Sequence, residues 1–88
     1  MNIKECIHKR HWQCEVEALK RWQSVSIVFL TPDGIEDETQ FDIRHAGTNA
    51  GIKELEELFA DFCKVNGFQR SSVQYVVIVK SADSFEEL

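Results

Sequence analysis

The feature that most constrains the fold is a pair of short segments, residues 25–31 and 72–80, that are apolar at both odd and even positions. Successive side chains of a β-strand point to opposite sides of a sheet, so strands of this composition are usually buried on both faces. Both segments are rich in β-branched residues, which favour strand. We therefore predict two strands at the centre of a sheet that needs cover on each side.

A third strand is predicted over residues 38–44, where Thr39, Phe41 and Ile43 alternate with polar side chains. Residues 31–34, Thr-Pro-Asp-Gly, lie between this segment and residues 25–31. Proline presets the second position of a turn and glycine accepts a positive φ. The two segments are therefore expected to form a hairpin with an extended loop.

The principal helix is predicted over residues 50–66. Apolar side chains recur there at spacings of three and four, and charged residues occupy the remaining positions. Thr48 and Asn49 are residues that cap helix starts, whereas Gly67 is typical of a helix end. This helix is expected to cover one face of the sheet.

Residues 3–21 fit two periods. Trp12, Cys14 and Val16 alternate with polar residues as in a strand, but Trp12, Val16 and Leu19 also have helical spacing. The prediction is one α+β domain over residues 1–88, with a mainly antiparallel sheet of three or four strands and one principal helix. The order is β-β-β-α-β, or α-β-β-α-β if residues 3–21 are helical. Residues 1–10 are expected to form a loosely ordered arm and residues 83–88 a short C-terminal turn, and the order of the strands is left open.

Composition narrows the possible partners. Ten Lys and Arg against fifteen Asp and Glu give a net charge of −5, which disfavours binding to nucleic acid and to anionic membranes. The apolar runs are far shorter than the ~20 residues of a membrane span. Three cysteines and a start without a signal-peptide stretch favour a reducing cytoplasm. We predict a cytoplasmic protein with no membrane contact.

The second face of the sheet has no predicted cover, and exposed apolar patches usually mark an interface. We therefore predict a small non-enzymatic interaction or regulatory module that acts through a homodimer or a protein partner. Four apolar residues form the predicted contact set: Val28, Leu30, Val76 and Ile78. Four acidic residues around the hairpin loop are expected to select the partner: Asp33, Glu36, Asp37 and Glu38. A variant of this hypothesis is an acidic inhibitor that mimics DNA.

A different alternative is a zinc-responsive module. The N-terminal segment contains four residues of the types that bind tetrahedral zinc: Cys6, His8, His11 and Cys14. Their spacing is unusual, because structural zinc sites generally take two ligands from each of two separated turns. The competing interpretation is a set of exposed histidines with Cys14 as a small buried residue.

Catalytic motifs are missing from the sequence. It contains no glycine-rich phosphate loop, nucleophile elbow or paired-carboxylate signature. Cys63 lies near the apolar stripe of the predicted helix, where thiols are usually inert. We expect no cofactor and no enzymatic activity.

Overall fold

A computed structural model describes residues 1–88. It contains two helices and four strands: α1 (Ile3–His8), β1 (Trp12–Cys14), β2 (Trp22–Leu30), β3 (Glu36–Arg44), α2 (Asn49–Asn66) and β4 (Val73–Ala82). Single 3-10 turns, Arg70–Ser72 and Phe85–Glu87, flank β4. The predicted α+β class is confirmed. Neither helix combines the length and the apolar sequence that crossing a bilayer takes.

The four strands form one sheet in the order β1-β4-β2-β3. β2 is antiparallel to both of its neighbours, and the short strand β1 is parallel to β4. The predicted, mainly antiparallel sheet is therefore confirmed, with β4 beside β2 rather than beside β3. The two strands that carry apolar side chains on both faces, β2 and β4, occupy the centre of the sheet.

α2 begins and ends where its capping residues predict. The Thr48 hydroxyl accepts a hydrogen bond from the Gly51 amide at 3.1 Å, and Gly67 ends the helix in the left-handed region at φ 72°. Leu55, Phe59 and Cys63 are buried against the sheet. This spacing places the apolar stripe of the helix on one face of the sheet.

The N-terminal segment differs from both predicted alternatives, because it is a short helix followed by a short strand. The expected loosely ordered arm is instead α1, whose residues Ile3 and Cys6 are 2% and 0% exposed in the core with α2 and β4. Asn2 caps this helix by accepting from the Glu5 amide at 2.8 Å. Arg10 adopts the left-handed region, at φ 59°, in the turn between α1 and β1. The strand alternation therefore holds only from Trp12 to Cys14, and the helical spacing of Trp12, Val16 and Leu19 does not correspond to a helix.

Two irregularities in the pairing of β2 with β4 change which residues share a face. Val76 lies opposite Ile27 and Ile78 lies opposite Val25, so both point toward α2 and are 2% and 4% exposed. The predicted contact set of Val28, Leu30, Val76 and Ile78 was wrong in this respect. Val28 and Leu30 lie on the other face of the sheet, because side chains alternate along β2.

Candidate functional site

The face of the sheet turned away from both helices, which we call the open face, has no layer over it. α1 and α2 both belong to the core on the opposite side, as Ile3, Cys6 and Phe59 pack in a single cluster. The apolar side chains of the open face are half-buried, and its two central serines are screened by their neighbours. These residues are Val28 and Leu30 on β2, Tyr75 and Val77 on β4, and Ser24 and Ser26.

One end of the open face is covered by the C-terminal turn. The Phe85 ring meets the Trp22 ring edge to face, with centroids 5.4 Å apart. The Arg44 guanidinium lies 5.5 Å from the centroid of the same Trp22 ring. Lys80 Nζ donates to the carbonyl oxygen of Leu88 at 2.9 Å. The aromatic and basic groups of this end are therefore engaged within the chain.

The opposite end, beside the turn that joins β2 to β3, is uncovered, and we call it the docking patch. It consists of Val28, Leu30 and Tyr75 with Glu36 and Glu38 at their side. Val28 pairs with Tyr75 on one side and Glu38 on the other, and Leu30 pairs with Glu36. An apolar strip therefore runs directly beside an acidic strip.

The acidic strip borders a shallow depression of about 280 Å³ that is lined by Val28, Glu36, Asp37 and Glu38. Ser26 Oγ donates to Glu38 Oε2 at 3.0 Å, which orients that carboxylate. The Glu38 amide donates to Asp37 Oδ1 at 2.8 Å. Three of the four residues that line the depression are therefore acidic.

The predicted acidic loop is placed mainly on a strand. Glu36, Asp37 and Glu38 are the first three residues of β3, and only Asp33 lies in the connecting turn. All four are exposed, and none has an ion-pair partner, since the only ion pair joins Lys20 to Asp83 at 3.9 Å. Their charge is therefore not neutralised within the chain.

β3 is also an edge strand, with no strand on the side away from β2. Its nine residues leave a row of backbone donors and acceptors toward solvent. Charged side chains on such a strand discourage edge-to-edge aggregation. The acidic residues of β3 are consistent with this purpose as well as with the binding of a partner.

The four residues of the zinc alternative are not brought together. Cys6 is buried in α1, where its thiol donates to the His11 carbonyl at 2.8 Å, whereas His8, His11 and Cys14 are exposed. No three His, Cys, Asp or Glu side chains are gathered as a metal site requires. Burial also raises the pKa of Cys6, which opposes the thiolate form that zinc binds.

The thiol of Cys63 lies on the inner face of α2, 2% exposed. Burial raises the pKa of Cys63, and the Coulombic effect of Arg70 lowers it by less. A buried thiol with a raised pKa is a weak nucleophile. The structure therefore gives Cys63 a packing position, and Cys14 is the exposed thiol of the three.

Sequence reasoning missed two features. Gln23 is 0% exposed and links three segments, although no pattern in the sequence marks a glutamine at a strand start as buried. An apolar cleft on the helix side is lined at its mouth by Trp12, Leu19 and Ile52. The only sign of it in the sequence was that residues 12–19 fit both a helical and a strand period, so that their apolar side chains could not be assigned to either.

Function has to be inferred from this geometry. Comparison with models of protein families, with curated proteins and with solved structures finds no match to this chain.

Proposed function

We propose that this domain is a non-enzymatic protein-interaction module that binds a basic segment of another protein on the docking patch. The observation that carries the proposal is the uncovered apolar strip of Val28, Leu30 and Tyr75 beside carboxylates that have no cationic partner in the chain. Apolar burial would supply the free energy of binding. The carboxylates would select a partner of opposite charge.

A basic partner fits better than a second copy of this chain. A two-fold dimer uses the same patch on both copies. It would bring the acidic side chains of both docking patches into one interface, where like charges oppose association. Two basic residues, Arg44 and Lys80, lie at the far end of the open face. Arg44 already contacts Trp22 and Lys80 already contacts the backbone oxygen of Leu88, so neither is free to offset this repulsion.

The proposed location is the cytoplasm. Cys6, Cys14 and Cys63 are all free thiols, and free thiols are typical of proteins in a reducing compartment. A DNA-mimicking inhibitor would be a narrower form of the same proposal, in which the basic partner is itself a nucleic-acid-binding protein.

The test uses a synthetic peptide in which lysine alternates with valine, added to the ¹⁵N-labelled protein and followed by amide chemical shifts. The expected shifts map to Val28, Leu30, Tyr75 and the neighbouring residues of β3. The double variant Glu36→Lys/Glu38→Lys should weaken binding about ten-fold or more, which corresponds to losing the pairing of two charges.

The matched control is Glu54→Lys/Glu57→Lys, which makes the same change in net charge on the exposed face of α2. It should retain most of the affinity. Equal weakening by both double variants would show attraction to net charge alone and would contradict the proposal. If the native mass is that of two chains, and that of Val28→Lys is the mass of one, then the occupant of the docking patch is a second copy of this chain and not a basic partner.

A further inference from the structure

The helix side of the sheet contains a cleft that the core side chains leave unfilled. Its volume is about 270 Å³, and ten of its twelve lining residues are hydrophobic. Val25, Leu55 and Val76 form its floor and are 1–2% exposed, so the cleft reaches buried side chains of the core near the start of α2. It lies on the opposite side of the sheet from the docking patch.

Such a space is unusual for a small domain. Protein interiors are packed about as densely as organic crystals and contain few voids larger than a water molecule. Water is a poor occupant here, because a buried water requires two to four polar partners. No titratable side chain lines the cleft, and no buried side-chain polar atom in the protein lacks a hydrogen-bond partner.

The mouth of the cleft is framed by two large apolar side chains that remain open to solvent. Trp12 is 40% exposed and Leu19 is 47% exposed. Ile52, in the first part of α2, is half-buried at the same opening. An indole ring at the mouth offers a flat surface against which a planar ring can pack.

We propose that this cleft is a binding site for a small neutral apolar molecule, of the size and shape of a two-ring aromatic compound. An apolar cavity of about 150 Å³ is large enough for benzene, so about 270 Å³ accommodates roughly twice that bulk. The absence of charged lining residues excludes a charged group from the buried part of the ligand. The opening at Trp12 and Leu19 is the entry path.

The test is titration of the protein, ¹³C-labelled at its methyl groups, with naphthalene. The methyl signals of Leu55, Val25 and Val76 should shift by ring current in a saturable manner. The signals of Val28 and Leu30, on the open face, should not move. No shift at the floor of the cleft up to the solubility limit of naphthalene would overturn the proposal, as would shifts confined to the open face.

Two variants fill the cleft from different sides. Ala46→Leu adds bulk from the loop before α2, and Ile52→Phe adds bulk at the mouth. Each should weaken naphthalene binding about ten-fold or more. Val77→Phe is the matched control, because it enlarges a half-buried side chain on the open face and should leave binding unchanged. Unchanged naphthalene binding in either variant, if that variant folds, would contradict the proposed site. If Ala46→Leu does not fold, Ile52→Phe provides the test.

Naphthalene-2-sulfonate tests the neutral character of the site. It has the same rings, but its charge has no partner among the lining residues. Its binding should be at least about ten-fold weaker than that of naphthalene. Equal affinity would overturn the assignment to a neutral ligand. None of these measurements depends on the docking patch, so this proposal and the proposed function can fail separately.

Discussion

The side chain of Gln23 joins three parts of the chain from inside the core. Its Nε2 donates to the carbonyl of Lys20 and to Ser81 Oγ, and its Oε1 accepts from the Ala46 amide at 2.7 Å. It therefore holds the loop before β2, the loop before α2 and the end of β4 in one arrangement. Buried polar groups that are fully hydrogen-bonded in this way specify a single geometry.

We expect Gln23→Leu to destabilise the protein by about 1–3 kcal/mol, because the buried Ala46 amide loses its acceptor and the other two partners lose their donor. Urea denaturation measures the effect. Gln40→Leu is the control, since Gln40 is an exposed residue of β3 and should change the stability by less than about 0.5 kcal/mol. Equal effects of the two substitutions would contradict the role of the buried amide.

The three thiols differ in their surroundings, and this predicts different reactivity. Cys14 is exposed, whereas burial raises the pKa of both Cys6 and Cys63. In the native protein, alkylation at neutral pH should modify Cys14 first, and the other two only after unfolding. Mass spectrometry of peptides counts the modified sites, and rapid native labelling of Cys63 would contradict the buried position.

The raised thiol pKa values also predict how the stability depends on pH. Above about pH 9, the ordinary thiol value, the unfolded chain loses these protons while the folded chain retains them. The free energy of unfolding should therefore fall as pH rises above that value, and this contribution is fully present below it. Cys63→Ala should reduce the slope, and a slope equal to that of the original protein would contradict the assignment.

At the scale of elements, α2 is the part that the sequence predicts best. One period continues through the whole helix and both ends carry capping residues, so the predicted 50–66 differs from the observed Asn49–Asn66 by one residue. The first 21 residues are harder, because α1 and β1 are too short for either period to dominate. Their structure depends on contacts with α2 and β4 that come later in the chain.

The candidate site, like the fold, could be predicted from the sequence only in part. The alternation along β2 separates Val28 from Ile27, and the acidic residues of β3 are visible in the sequence. Alternation does not predict the side of Val73, because an irregularity in the pairing brings Val73 and Val76 to the same side of β4. Val76 and Ile78 alternate regularly with Tyr75 and Val77, but the sequence does not show which side of β4 faces α2, so they were grouped with Val28 and Leu30 on the wrong face.

The start of α2 gives a prediction that opposes helix propensity. Alanine normally stabilises a helix by up to about 1 kcal/mol relative to glycine. A Cβ on Gly51 would lie 2.3 Å from the backbone oxygen of His45, in the loop that leads into α2. We expect Gly51→Ala to destabilise the protein by about 1–3 kcal/mol, because helix and loop must separate.

Thermal unfolding of Gly51→Ala tests this expectation. Lys53→Ala, at an exposed position of the same turn, is the control and should leave the melting temperature nearly unchanged. Stabilisation by Gly51→Ala would show that helix and loop adjust without cost and that the close approach is not required.

At the scale of the whole molecule, the two faces of the sheet differ in the interactions that they offer to a ligand. The helix side contains the core and an apolar cleft that opens at Trp12 and Leu19, whereas the open face carries exposed carboxylates that contribute to a net charge of −5. Electrostatic attraction between exposed charges is screened by salt, whereas apolar burial is not weakened in that way.

Raising NaCl from about 0.05 M to about 0.5 M should therefore weaken binding of the lysine–valine peptide several-fold, because the Debye length falls to about 4 Å at the higher concentration. Naphthalene binding should be unchanged or slightly stronger over the same range. Isothermal titration calorimetry measures the peptide and methyl chemical shifts measure naphthalene. Peptide binding that is insensitive to salt would exclude a role for Glu36 and Glu38 in selecting a partner.

The central position of β4 has a consequence for how the chain acquires its structure during synthesis. β4 is the last strand to be made, yet it lies between β1 and β2 and supplies Val73, Val76 and Ile78 to the core. A ribosome adds about 5–20 residues each second, so the hairpin and α2 emerge before the strand that completes their core. Until residues 73–82 leave the ribosomal tunnel, the side of β2 that later pairs with β4 has no neighbouring strand. At that rate, adding the residues between the end of β2 and the end of β4 takes about 3 to 10 seconds, and through that time the apolar side chains of β2 that later contact β4 remain uncovered.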